Sequence, residues 1–167
     1  MQMKTLYLVR HAKSDWGDEF IRDIHRPLNS RGYSDAYAQS KKFAKEQKHP
    51  ELIISSPATR AFTTACIFAR ELSYSLDTIR IAEKLYEASS SIIANTIAET
   101  DDSVSSVMVF GHNPGFTDAF DELSDSYVDN LPTCGIVGIS FAFDSWADVL
   151  SVKGTCFLSM FPKDFKQ

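Results

Sequence analysis

Hydrophobic and polar positions alternate along the chain in blocks that read as strands and helices in turn. Positions 6–9 form an unbroken apolar run, short enough for a strand and apolar enough to be buried on both faces, and they deliver Arg10 and His11 to its carboxyl end. Positions 12–29 are polar, aromatic and turn-rich. Asn29 or Ser30 then caps a predicted helix carrying Tyr33, Ala36, Tyr37, Ser40 and Phe43 at helical spacing, and Pro50 closes that section. A second short strand at 52–54 leads into Ser56, read as an N-cap, and Pro57, read as the first residue of a helix running to about Leu72. Its stripe is Ala61, Phe62, Ala65, Cys66, Ala69 and Leu72, with Arg60 in the first turn.

The second half repeats the arrangement. A short strand is predicted at 78–82, a helix at 92–99 and a buried strand at 107–110, followed at once by Gly111-His112-Asn113-Pro114-Gly115. Three closing strands are predicted at 135–143, 149–153 and 155–161. Strands alternating with helices predict an α/β fold with a mostly parallel central sheet, helices on both faces and an antiparallel edge near the carboxyl end.

Composition narrows this picture without redirecting it. A chain of 167 residues, 44% hydrophobic and 23% charged, is expected to form a single domain over 1–167. A net charge of −5, with no basic run, speaks against a nucleic-acid partner. Neither a signal-peptide pattern nor an apolar stretch long enough to span a bilayer is visible, so no membrane partner is expected. Cys66, Cys134 and Cys156 have no disulfide or zinc spacing, and a cytoplasmic location is the expectation.

Candidate chemistry sits at three strand ends: Arg10-His11, then Arg60, then His112. Loops at the carboxyl ends of neighbouring parallel strands converge, so these four side chains are expected to face one pocket. Two guanidinium groups and two imidazoles suit a phosphoryl group, whose charge is spread over three oxygens that fixed planar donors can hold. A neutral imidazole is a competent nucleophile once an acceptor on its other nitrogen fixes the tautomer. No metal and no cofactor are expected, because the arginines and imidazoles already supply a positive field and no carboxylate cluster accompanies them.

The residues that carry this chemistry also carry a family likeness. Leu-Val-Arg-His-Ala at 8–12 resembles the Arg-His signature of the histidine phosphatase superfamily, whose fold is phosphoglycerate mutase-like. Ser-Ser-Pro-Ala-Thr-Arg-Ala at 55–61 resembles its second motif, and Gly-His-Asn-Pro-Gly at 111–115 its third. Arg-His-Ala-Lys-Ser-Asp-Trp at 10–16, Arg26-Pro27-Leu28 and Arg31-Gly32 look most like the SixA-like phosphohistidine phosphatases. The resemblance implies that His11 takes up the phosphoryl group while Arg10, Arg60 and His112 hold its oxygens. It also implies a general acid between the second and third motifs, where Glu87 stands, with Glu83, Asp15 and Asp18 as other candidates.

Glu87 also reads as an exposed carboxylate beside a helix. Arg26 and Arg31 are expected to organise the first loop by hydrogen bonds, Trp16, Phe20 and Tyr86 to pack loops, and His25 and His49 to lie on the surface. The segment between Arg60 and His112 is used up by helix, strand, helix and strand, leaving no room for a large lid, so an open groove is expected. That favours a phosphorylated protein, with phosphohistidine leading, over a small phosphate ester of a sugar or nucleotide. A phosphate-binding module without turnover is the reading from a different class.

Overall fold

The computed structural model describes residues 2–165. Six strands, β1 (Met3–Arg10), β2 (Leu52–Ser55), β3 (Arg80–Ile81), β4 (Ser106–Gly111), β5 (Ile136–Ala142) and β6 (Thr155–Met160), form one sheet in the order β3-β2-β4-β1-β5-β6. The pairs β2–β3, β2–β4 and β1–β4 are parallel, whereas β1–β5 and β5–β6 are antiparallel. This is the mostly parallel sheet with an antiparallel carboxyl-terminal edge that the pattern predicts.

Successive side chains of a strand point to opposite faces, and the central strands use both faces for burial. Leu6 and Leu8 of β1, with Val107 and Val109 of β4, join one core with Ile93 and Ile97 of α3 (Ser90–Ala98) and Phe116 and Phe120 of α4 (Gly115–Leu123). Tyr7, Val9, Met108 and Phe110 enter a second core with Phe43 of α1 (Ser30–Glu46) and Ala65 and Phe68 of α2 (Thr59–Glu71). Two helices thus cover each face. No large insertion lies between α2 and β4, where α3 is the one α-helix.

Several local expectations change. In α1 the buried residues are Gly32, Asp35, Ala36, Gln39, Ser40 and Phe43, while Tyr33 and Tyr37 are exposed. The stripe turns toward polar positions because the Gln39 Nε2 amide donates to the carbonyls of Cys134 (2.9 Å) and Met160 (2.8 Å), which makes its burial tolerable. Helix α2 starts at Thr59, not Pro57, and its buried face holds Ile67 and Phe68 in place of Phe62 and Cys66. The Ser56 hydroxyl accepts from the Ala58 N–H before the helix begins. The strand expected at 149–153 is absent: a 3-10 turn, Trp146–Leu150, occupies that part of the chain. Its Trp146 is buried and donates from the indole nitrogen to the Val104 carbonyl (2.7 Å).

Candidate active site

Register brings the predicted residues together. Arg10 pairs with Gly111 across β1–β4, and Ser55 pairs with Phe110 across β2–β4, so His11, His112 and Ser56 leave three adjacent strand ends side by side. The His11 and His112 rings lie 5.2 Å apart. With Arg10, Lys13, Ser14, Trp16, Asp23, Arg26, Arg60, Glu87, Asn113 and Thr133 they line an open cavity of about 320 Å³.

Backbone contacts fix the Arg10-His11 step from both sides. The His11 N–H donates to Gly111 O (3.0 Å), the Cys134 N–H reaches both Arg10 O and His11 O (3.0 Å each), and the Ala12 N–H donates to Thr64 Oγ1 (3.1 Å). The His11 Nδ1–H donates to the Ala12 carbonyl at 2.7 Å, which leaves Nε2 as the nitrogen with a lone pair. Burial lowers the His11 pKa to about 3; the Ala12 hydrogen bond opposes that shift, and the charges of His112, Arg60 and Arg10 reinforce it. At neutral pH the ring is uncharged. His112 is likewise lowered to about 4, first by burial and then by Arg60, with Asp23 pulling the other way. Its Nε2 lies 2.7 Å from the Ser56 hydroxyl. That oxygen accepts from the Ala58 N–H and carries one proton it can donate to Nε2; in that arrangement the ring proton sits on Nδ1, which is buried and otherwise unpartnered.

The arginines are tethered on one edge and unpartnered on another. Arg10 Nη1 donates to Leu131 O (2.9 Å), and Arg60 Nη1 and Nη2 donate to the carbonyl (2.7 Å) and carboxylate (3.0 Å) of Asp23. The Nε of each is buried without a partner. Arg10, Arg60 and His112 all line one cavity, and guanidinium and imidazole N–H groups are the kind of donor that an oxyanion needs.

Asn113 builds the wall behind Arg10. Its Nδ2 donates to the same Leu131 carbonyl (2.9 Å), and its Oδ1 accepts from the backbone and hydroxyl of Thr117. Gly115 lets α4 approach the opposite wall, since a Cβ there would lie 2.1 Å from the Ala88 carbonyl, beside Glu87. Glu87 itself has φ 56° in the left-handed region, a strained choice for a side chain of this size, and it lines the cavity with His112. Glu83, Asp15 and Asp18 do not line it. Asp15 and Asp18 instead accept from the N–H groups of Gly17 (2.7 Å) and Phe20 (2.9 Å) in their own loop.

The first loop differs from expectation in part. Arg26 does organise it, donating to Ser14 Oγ (2.7 Å), Asp15 O (3.2 Å) and Asp23 Oδ1 (3.0 Å). Arg31 does not, pairing instead with Asp35 one helical turn on at 3.6 Å. Trp16 lies over the Arg26 guanidinium at 3.5 Å yet is 73% exposed, and Phe20, 90% exposed, packs against little. Asp23 and the hydroxyl of Ser56 were not among the expected site residues. The signal for Asp23 was its place three residues before Arg26 in a turn, where a carboxylate and a guanidinium meet.

Among the described residues no three His, Cys, Asp or Glu side chains gather as a metal site, and no helix is long and apolar enough to cross a membrane.

The chain resembles known proteins along most of its length. It is 27% identical over 159 residues to an uncharacterized chloroplastic protein of Arabidopsis thaliana, covering 90% of this chain and 72% of the relative. It is 29% identical over 153 residues to an uncharacterized protein of Mycobacterium tuberculosis, covering 84% and 91%. Among solved structures, a protein assigned as a phosphohistidine phosphatase SixA from Agrobacterium tumefaciens superposes with a TM-score of 0.79 at 26% identity, covering 95% and 98% of the two chains. The protein histidine phosphatase SixA complexed with tungstate superposes with a TM-score of 0.81 at 20% identity, covering 97% and 99%. Residues 6–109 match the model of the histidine phosphatase superfamily (branch 1), and with these strand ends, this sheet order and these neighbours the chain belongs to that superfamily as a histidine phosphatase of SixA-like fold.

Proposed function

We propose that the protein removes the phosphoryl group from phosphohistidine carried on another protein, by way of a phosphorylated His11. The observation that carries the reading is the His11 ring, held by Ala12 with its Nε2 free and uncharged, beside the unpartnered donors of Arg10, Arg60 and His112. In the first step Nε2 forms a bond to phosphorus while the bond from phosphorus to the leaving imidazole breaks, and that imidazole keeps the electron pair and takes up a proton from Glu87 or solvent. The guanidinium groups and the His112 Nδ1–H hold the equatorial oxygens as charge shifts among them. In the second step water attacks phosphorus, the Nε2–P bond breaks, the proton lost by water passes to Glu87 or solvent, and inorganic phosphate leaves.

Two features support a protein substrate. No large insertion covers the cavity, so a phosphorylated side chain on a folded surface can reach it. An imidazole is also a good leaving group that depends little on a general acid, so the reading does not require one in the site. One observation favours the second reading, a phosphomonoesterase for a small sugar or nucleotide phosphate: Glu87 is in the cavity wall, where an alkoxide leaving group needs an acid.

Parallel rate measurements on a phosphohistidine protein, a phosphoserine peptide and small phosphate esters decide between them. The expected result is a kcat/KM on phosphohistidine at least about tenfold above the others, which is a preference of about 1.4 kcal/mol. A preference for small esters overturns the substrate assignment, and stoichiometric phosphate binding with no turnover on any of them overturns the mechanism.

A further inference from the structure

One carboxylate in the first loop gathers more of the pocket than any other side chain. The 3-10 turn Asp23–His25 presents Asp23 so that Oδ2 accepts from Arg60 Nη2 (3.0 Å) and from the Tyr86 hydroxyl (2.5 Å). Oδ1 accepts from Arg26 Nε (3.0 Å), and the main-chain oxygen of the same residue accepts from Arg60 Nη1 (2.7 Å). Three stretches remote in sequence, the first loop, the first turn of α2 and the segment before α3, meet at this residue.

The consequence for Arg60 follows from guanidinium geometry. Both terminal nitrogens are tied to Asp23, and the remaining Nε is buried and unpartnered. The plane of the guanidinium is thereby set before any phosphate arrives, so the rotamer entropy of a long side chain is lost during folding and not on binding. The carboxylate also stands between Arg26 and Arg60, allowing two like charges to share one wall. Asp23 is unsuited to the role of proton donor. The Tyr86 hydrogen bond, with those of Arg26 and Arg60, holds its carboxyl well below the usual range, while desolvation, followed by the bond to Asp23, pushes the Tyr86 phenol up to about 12.

We infer that Asp23 is a positioning residue that orients Arg60 for the phosphoryl group, with Tyr86 fixing the carboxylate in turn. This rests on Arg60 holding phosphate oxygens, as proposed above. The test is a double-mutant cycle on kcat/KM for an aryl phosphate, with inhibition by inorganic phosphate as a second readout. Asp23→Asn is expected to lower kcat/KM and weaken phosphate inhibition by about ten- to a hundredfold in the native background, and by less than about threefold when Arg60 is already alanine. A role confined to folding would cost the same in both backgrounds. Tyr86→Phe, a milder change, should give a smaller loss with the same dependence on Arg60, and it serves if Asp23→Asn does not fold. Additive losses, or an Asp23→Asn enzyme within twofold of native, overturn the inference. If Arg60→Ala alone leaves turnover and phosphate inhibition unchanged, the reading of the pocket fails, and this inference with it.

Discussion

The centre and the rim of the pocket are built by different means. At the centre, Arg10, His11 and His112 sit at the ends of two paired strands, and their backbone is pinned by ladder bonds and by Cys134. At the rim, Arg26 and Arg60 are aimed by side-chain contacts to an exposed loop, chiefly through Asp23. Backbone pairing fixes a strand-end residue through main-chain hydrogen bonds that do not depend on which side chains surround it. Side-chain tethering is adjustable and depends on each partner. The centre is therefore expected to act as an all-or-none element and the rim as a graded one.

The largest break should come from His11→Ala. With His11 as the proposed nucleophile, its loss is expected to cost at least about 10⁴-fold in kcat with the fold retained, and acid-labile labelled phosphate should be trapped on the native protein only. An active His11→Ala variant would place the nucleophile elsewhere. Arg10→Ala comes next, at about 10²- to 10³-fold in kcat/KM, the usual cost of removing one oxyanion donor. Arg26→Ala, on the rim, should cost roughly tenfold or less and act mainly through KM. If Arg26 proves as costly as Arg10, the distinction between centre and rim collapses.

Glu87→Gln should divide substrates by leaving group. A loss of about a hundredfold on alkyl phosphates with only a few-fold loss on phosphohistidine marks a general acid. Equal large losses on both point to Glu87 activating the water that attacks phosphorylated His11, a step common to every substrate.

The two central histidines also predict an acid-sensitive fold. Their pKa values, lowered to about 3 and about 4 in the folded protein, lie below the ordinary value near 6.5. Between pH 6.5 and 4 the unfolded chain binds protons that the folded one refuses, so stability rises with pH there and is lost as pH falls. Urea unfolding at several pH values should show this slope, and His11→Asn should reduce it by up to about 1.4 kcal/mol per pH unit. An unchanged slope would mean that His11 titrates normally. The smallest expected effect is that of a chelator: turnover should survive EDTA, and a loss restored by a divalent ion would overturn the metal-free mechanism.

How much of this was legible in the sequence follows the same division. Apolar runs ending in Arg10-His11 and in Gly111-His112 made two central strands and the residues at their ends legible, because strand burial is a local signal. Asp23 was hidden, since nothing nearby in sequence shows that a polar loop residue will meet Arg60 and Tyr86. The buried Gln39 was hidden for the same reason, its burial being made tolerable by carbonyls about a hundred residues away. In place of the strand expected at 149–153 stands the 3-10 turn Trp146–Leu150, whose Trp146 is held by the Val104 carbonyl, a partner that no periodicity reveals.

The carbonyl of Leu131 serves both Arg10 and Asn113, filling its two lone pairs with groups from the first and third motifs. A peptide oxygen has no letter in the genetic code. Residue 131 can exchange leucine for another buried apolar side chain and still present the same acceptor, so an alignment column there would look like simple core packing. Part of what aims Arg10 is in this sense written in the path of the chain, and it is inherited with the fold itself.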